Sequence, residues 1–162
     1  MRPWTVRTRS PEETRRVGSV LGETAPPGGV LLLRGPVGAG KTVLASGVLQ
    51  GLGVPPPHPS PTFVLVRLYA GRLPVAHLDL YRLGPGADGR EFDLDEILSG
   101  PGVAITEWAE YLAEPVDAID VRIRRLDAER QLTLRPRGEV ASGWLTRARG
   151  AWVNLAPQPP LA

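Results

Sequence analysis

The segment Gly35-Pro36-Val37-Gly38-Ala39-Gly40-Lys41-Thr42 constrains this chain more than any other. It fits the pattern G-x-x-x-x-G-K-[ST], a loop whose backbone N–H groups wrap phosphate oxygens. Such a loop works in one setting: a buried strand leads into it and a helix opens at its end. Both neighbours are present. Val30-Leu31-Leu32-Leu33 is a continuous apolar run, as expected of a strand covered on both faces. Thr42 to Leu52 reads as a helix closed by Gly53. The glycines allow positive φ and close backbone approach. The helix aims its positive end at the same anion. Lys41 supplies a compact ammonium to the β- and γ-phosphates, and Thr42 a hydroxyl to a metal ion. Among the nineteen Lys and Arg residues, Lys41 is the sole lysine, placed where a point charge serves and a planar guanidinium does not. The expected nucleotide cradle is Gly35, Val37, Gly38, Ala39, Gly40, Lys41, Thr42 and Val43.

The rest of the pattern predicts an α/β fold: a single P-loop NTPase-like domain with a mixed parallel and antiparallel sheet flanked by helices. Trp4–Arg9 alternates as a short strand. Ser10-Pro11-Glu12-Glu13 opens a helix to about Thr24, with Ser10 as cap, Pro11 at the first position and Glu13 completing a capping box. Phe63–Tyr69 and Leu73–Leu80 read as a hairpin, Asp93–Leu98 as a short helix and Val103–Thr106 as another apolar strand. Ala118–Leu126 and Gln131–Arg137 read as a second hairpin. The domain is expected over residues 1–137. Residues 138–162 form a weakly patterned tail, partly ordered or packed on that domain.

Cysteine is absent, which excludes a disulfide scaffold and a cysteine nucleophile. No apolar run approaches the roughly 18 residues of a membrane helix, and no apolar signal core opens the chain. The expectation is a cytoplasmic protein with no membrane partner. Charge is uneven. Residues 1–87 carry a net +6, residues 88–120 a net −9 and residues 121–162 a net +5. The acidic stretch, with Asp93, Asp95 and Glu96, is a candidate docking surface.

Phosphoryl transfer also needs a carboxylate near the metal and a group to orient the nucleophile. Two acids stand at the ends of apolar strands: Asp79 after Val75-Ala76-His77-Leu78, and Glu107 after Val103-Ala104-Ile105-Thr106. There they can reach the sheet edge beside the phosphate loop. Ser60-Pro61-Thr62 offers hydroxyls to a γ-phosphate. His77 on its alternating strand reads as a packed histidine, and Trp108 as a cover for the nucleotide or a core residue.

Together these segments resemble the TsaE family of bacterial tRNA threonylcarbamoyladenosine synthesis. The resemblance rests on Gly35–Thr42 (GPVGAGKT), Ser60–Val66 (SPTFVLV), His77–Leu83 (HLDLYRL), Glu91-Phe92 and Ile105–Glu110 (ITEWAE), in the family's order and spacing. Pro36-Val37, Val43 and Phe63 depart from the family's usual residues, and none of these departures removes a phosphate or metal ligand. The resemblance implies a Mg²⁺-dependent ATP-binding protein whose hydrolysis supports TsaB and TsaD homologues. That complex threonylcarbamoylates the adenosine beside the anticodon, and tRNA is contacted mainly through it. By the same likeness Lys41, Asp79 and Glu107 are catalytic, Lys41 contacts phosphate, Thr42 and Glu107 hold Mg²⁺, and Asp79 orients a water. Arg130 approaches the nucleotide, and Ser10-Pro11 the base. Two other readings use the same residues. A small-molecule kinase would use Arg82 and Arg90, around a glycine-rich loop, as a lid. A nucleotide switch or RNA binder would use Arg122, Arg124, Arg125, Arg135, Arg137, Arg147 and Arg149, of which only part can share one sheet face.

Overall fold

A computed structural model describes residues 1–62, 64–85, 93–112 and 117–155. Phe63, the stretch 86–92 with Arg90, Glu91 and Phe92, and the side chain of Asp95 lie outside the described residues. The chain runs β1 (Trp4–Thr8), α1 (Pro11–Glu23), β2 (Val30–Arg34), α2 (Lys41–Gly51), β3 (Val66–Ala70) and β4 (Pro74–Asp79). It continues as α3 (Leu94–Ser99), β5 (Val103–Glu107), β6 (Ala118–Leu126), β7 (Glu129–Arg137) and α4 (Glu139–Leu155).

The strands form one mixed sheet in the order β1-β7-β6-β2-β5-β4-β3. The middle strands β6, β2, β5 and β4 are parallel. Antiparallel partners close both sides, β7 and β1 on one and β3 on the other. This is the mixed α/β architecture expected from the sequence. β2 lies at the centre, which explains its unbroken apolar run: Val30 to Leu33 are all buried.

One face of the sheet packs under α1, α2 and α4. Leu31, Leu33, Ile105, Val121 and Ile123 meet Leu21, Leu44, Val48 and Trp144 there. On the other face Leu32, Leu78 and Ala104 are covered by Ile97, Leu98, Trp108 and Tyr111. α1 and α2 touch backbone to backbone. A Cβ on Gly18 or Gly22 would collide with the carbonyls of Leu44 or Val48, and a Cβ on Gly47 or Gly51 with those of Arg15 or Ser19. Glycines four apart on each helix thus share one contact stripe.

Local chemistry sets several boundaries. Ser10 Oγ accepts from Glu13 N at 3.2 Å, as a cap should. The Glu13 carboxylate, however, accepts from Arg9 N at 2.7 Å rather than from the cap's own N–H. β3 begins at Val66, three residues later than the sequence predicts. Leu65 donates to the Pro61 carbonyl at 2.8 Å and takes a φ of 69°, so the chain turns there before it pairs. The weakly patterned tail is a helix from Glu139 to Leu155. Its first turn is capped from a distance, because Asp117 accepts from Val140 N and Ala141 N at 3.1 and 2.9 Å. Trp144 is fully buried beneath it and donates to the Leu21 carbonyl at 3.0 Å.

Candidate functional site

The carboxyl ends of β2, β4 and β5 meet at one edge of the sheet. Asp79 and Glu107 are register partners across β4 and β5, and Leu33 of β2 is the partner of Glu107. The loop 35–40 leaves β2 at that same edge, where open α/β sheets bind their ligands. Gly38 and Gly40 take φ values of 76° and 111°, reached there without a side-chain penalty. Gly40 is the N-cap of α2 and offers no side-chain bond, so the first-turn N–H groups are left to an outside acceptor.

Lys41 and Thr42 open α2 and point into a cavity of about 470 Å³. The Lys41 ammonium donates back to the loop carbonyls of Gly35 and, at 3.0 Å, Pro36. It sits 4.1 Å from the centre of the Trp108 ring, in cation–π contact. Burial pushes its pKa below the ordinary lysine value, while the carboxylates of Glu110, Glu107 and Asp79 oppose that shift. Trp108 follows Glu107 directly with a left-handed φ of 57°, rare for a bulky residue, and its ring lies against Tyr81 and Tyr111.

The two acids are held differently. Glu107 Oε1 accepts from Thr42 Oγ1 at 2.8 Å and Oε2 from His77 Nε2 at 2.7 Å, with both His77 and Glu107 buried. Asp79 Oδ2 accepts from Thr62 Oγ1 at 2.9 Å, and Oδ1 from Tyr81 N at 2.9 Å. Thr62 is linked onward to Ser60 at 2.6 Å.

The expected residues divide between two adjoining cavities. Val37, Gly38, Ala39, Gly40, Lys41, Thr42, Val43, Asp79, Glu107 and Trp108 line the larger. Pro11 and Arg130 line a smaller one, about 160 Å³, on the far side of the loop. Gly35 lines neither, its carbonyl being turned to Lys41. Arg130 Nε donates to the Ala39 carbonyl at 3.1 Å, so this side chain braces the loop from β7. Sequence reasoning passed over two residues. Tyr81 lines the larger cavity. His77, read as a packed histidine, is the second donor to Glu107. Its one available signal was its position two residues before Asp79 on an alternating strand.

The fold and this edge define an α/β protein of the P-loop type. The model of the family "Threonylcarbamoyl adenosine biosynthesis protein TsaE" matches residues 8–133. The chain is 39% identical over 131 residues to the tRNA threonylcarbamoyladenosine biosynthesis protein TsaE of Bacillus subtilis, covering 78% of this chain and 82% of that one. It is 37% identical over 130 residues to the protein of that name from Treponema pallidum, covering 78% and 96%. The crystal structure of YdiB from Bacillus subtilis superposes with a TM-score of 0.80 at 32% identity, covering 93% of this chain and 96% of that one. The chain belongs to the TsaE family.

Proposed function

We propose that the protein binds ATP with Mg²⁺ at the larger cavity, hydrolyses it, and thereby supports TsaB and TsaD homologues in threonylcarbamoylating the adenosine next to the tRNA anticodon. The observation that carries this reading is the Thr42–Glu107 contact at 2.8 Å beside the phosphate loop. A hydroxyl and a carboxylate in contact there fit a cation that prefers few protein oxygens and completes its shell with phosphate and water. Thr42 and Glu107 would hold Mg²⁺, which when bound neutralises charge on the phosphates. Lys41 exchanges its loop carbonyls for phosphate oxygens. Asp79, fixed by Thr62 and Tyr81 N, presents a carboxylate that can orient an attacking water. Trp108 holds the Lys41 ammonium from one side and narrows its path to solvent.

The deciding experiment is ATP hydrolysis by the purified protein, alone and with TsaB and TsaD homologues added. Slow turnover that rises with the partners supports the role. Turnover indifferent to them removes the role and leaves the phosphate loop. A phosphorylated metabolite in place of free phosphate would turn the reading to a kinase. Glu107→Ala is expected to lose Mg²⁺-dependent turnover and keep part of the nucleotide binding. If turnover survives, Asp79 is the better metal ligand.

His77→Ala is expected to raise the Mg²⁺ concentration for half-maximal turnover by about 10- to 100-fold, as the loss of a ligand's supporting hydrogen bond does. His77→Gln, which restores a donor, should recover part of that loss. An unchanged Mg²⁺ requirement in both variants would reduce His77 to packing.

A further inference from the structure

Among the described residues, the sheet face opposite α1, α2 and α4 is covered over β4, β5, β2 and the start of β6; over the rest of β6, β7 and β1 it forms a depression of about 700 Å³. Strand alternation sorts the arginines of this region. Ile119, Val121, Ile123, Leu132 and Leu134 turn into the helix-covered core. Arg122 and Arg124 of β6 and Arg135 and Arg137 of β7 therefore turn to the open side, where Arg2 joins them. Asp120 is the carboxylate in this lining, and it is already engaged: Arg34 Nε donates to it at 3.0 Å and Arg137 at 2.8 Å. Arg2, Arg122, Arg124 and Arg135 are exposed, and their guanidiniums make no hydrogen bond or ion pair with any described residue.

We infer that this face binds the sugar-phosphate backbone of RNA directly. Three features choose that occupant. Four unpaired guanidiniums on one face offer bidentate donors to phosphate oxygens. Arg122 and Arg124 repeat at about 7 Å along β6, and Arg135 lies on the neighbouring strand, so the donors form a grid rather than one anion pocket. The remaining lining is Thr5, Gln131, Thr133 and Pro3, so it holds no aromatic side chain and Pro3 is its one apolar residue. A protein partner needs an apolar, aromatic centre to such a patch. A phosphate backbone needs only arginine, threonine and glutamine donors. Lacking aromatics to stack bases, the face reads backbone and not sequence. The choice of RNA over other nucleic acid rests on the proposed role in tRNA modification. The face adds to that reading a contact with tRNA made by this chain itself, beyond the one made through the partner complex.

The test is tRNA binding by the full chain, followed by fluorescence anisotropy from about 50 to 200 mM salt. The wild type is compared with the triple variant Arg122→Gln, Arg124→Gln, Arg135→Gln and with the triple Arg→Lys variant. These side chains lie outside both cavities of the nucleotide site, so melting temperature and ATP binding should be unchanged, which separates this test from that of the ATPase reading. The Gln variant is expected to bind tRNA at least ~10-fold more weakly and to lose about 3 from the slope of log K against log salt. The Lys variant should recover most of the affinity, and a hairpin RNA of unrelated sequence should bind like tRNA. The inference is overturned if the wild type binds no tRNA at 50 mM salt. It is equally overturned if affinity and slope survive in the Gln variant, or if the loss appears only with poly-glutamate, which stands for an acidic protein.

Discussion

Lys41→Ala is expected to weaken ATP binding by about 100-fold or more, with the fold intact. Removing one partner of a desolvated charge pair costs about 2–5 kcal/mol, which spans roughly 30- to 5,000-fold in affinity. Lys41 fits that case because its ammonium is already held at the loop by the Gly35 and Pro36 carbonyls and the Trp108 ring. The free protein should lose little stability, since deleting the side chain also deletes the burial that pushes its pKa down. Lys41→Arg should fail nearly as badly. A forked guanidinium does not fit between two carbonyls and an indole placed for a single nitrogen. Isothermal titration with ATP and Mg²⁺, alongside thermal melts, checks both. Affinity retained in Lys41→Ala would remove the phosphate loop from the function.

Trp144→Ala is expected to cost about 3–5 kcal/mol of folding stability. For a chain of this size that lowers the melting temperature by roughly 6–20 °C. Trp144 is fully buried and joins α4 to α1 through its bond to Leu21. The substitution opens a cavity between α4 and α1 and leaves the Leu21 carbonyl without that donor. Trp152, half-buried against the same core and edge-on to Trp4, should cost less when replaced by Ala. α4 lies beyond residues 8–133, the part matched by the family model. A loss below about 1 kcal/mol for Trp144→Ala, read from circular dichroism melts, would show that the core stands without this helix.

The parts legible in the sequence were those written in local patterns. The run Val30–Leu33 announced a central strand because a strand buried on both faces has no polar side to interrupt it. Asp79 and Glu107 were legible as strand-end acids because each follows an apolar stretch. The parts that were not legible depend on residues distant in sequence. α4 hides its stripe in Ala141, Trp144, Leu145 and Ala148, and Gly143 and Gly150 weaken its helical signal in the sequence. Its buried face becomes evident only against α1. The delayed start of β3 follows from the turn at Pro61–Leu65 that sets Thr62 on Asp79, a contact across seventeen residues. His77 and Glu107 are thirty residues apart, and neither carries a local mark of the other.

The glycine stripe between α1 and α2 has a mechanical consequence for the candidate site. α1 starts beside the smaller cavity and α2 starts at the larger. With their backbones in contact at Gly18, Gly22, Gly47 and Gly51, the helices cannot slide without collision, and spreading them would open a void in the packing. The two walls behave as one fixed jaw. On the proposed ATP-binding reading, a change of shape on hydrolysis falls to the opposing side, the turn carrying Thr62 and the turn at Tyr81. Both grip the same carboxylate of Asp79. On that reading Asp79 is the one side chain that ties both turns together.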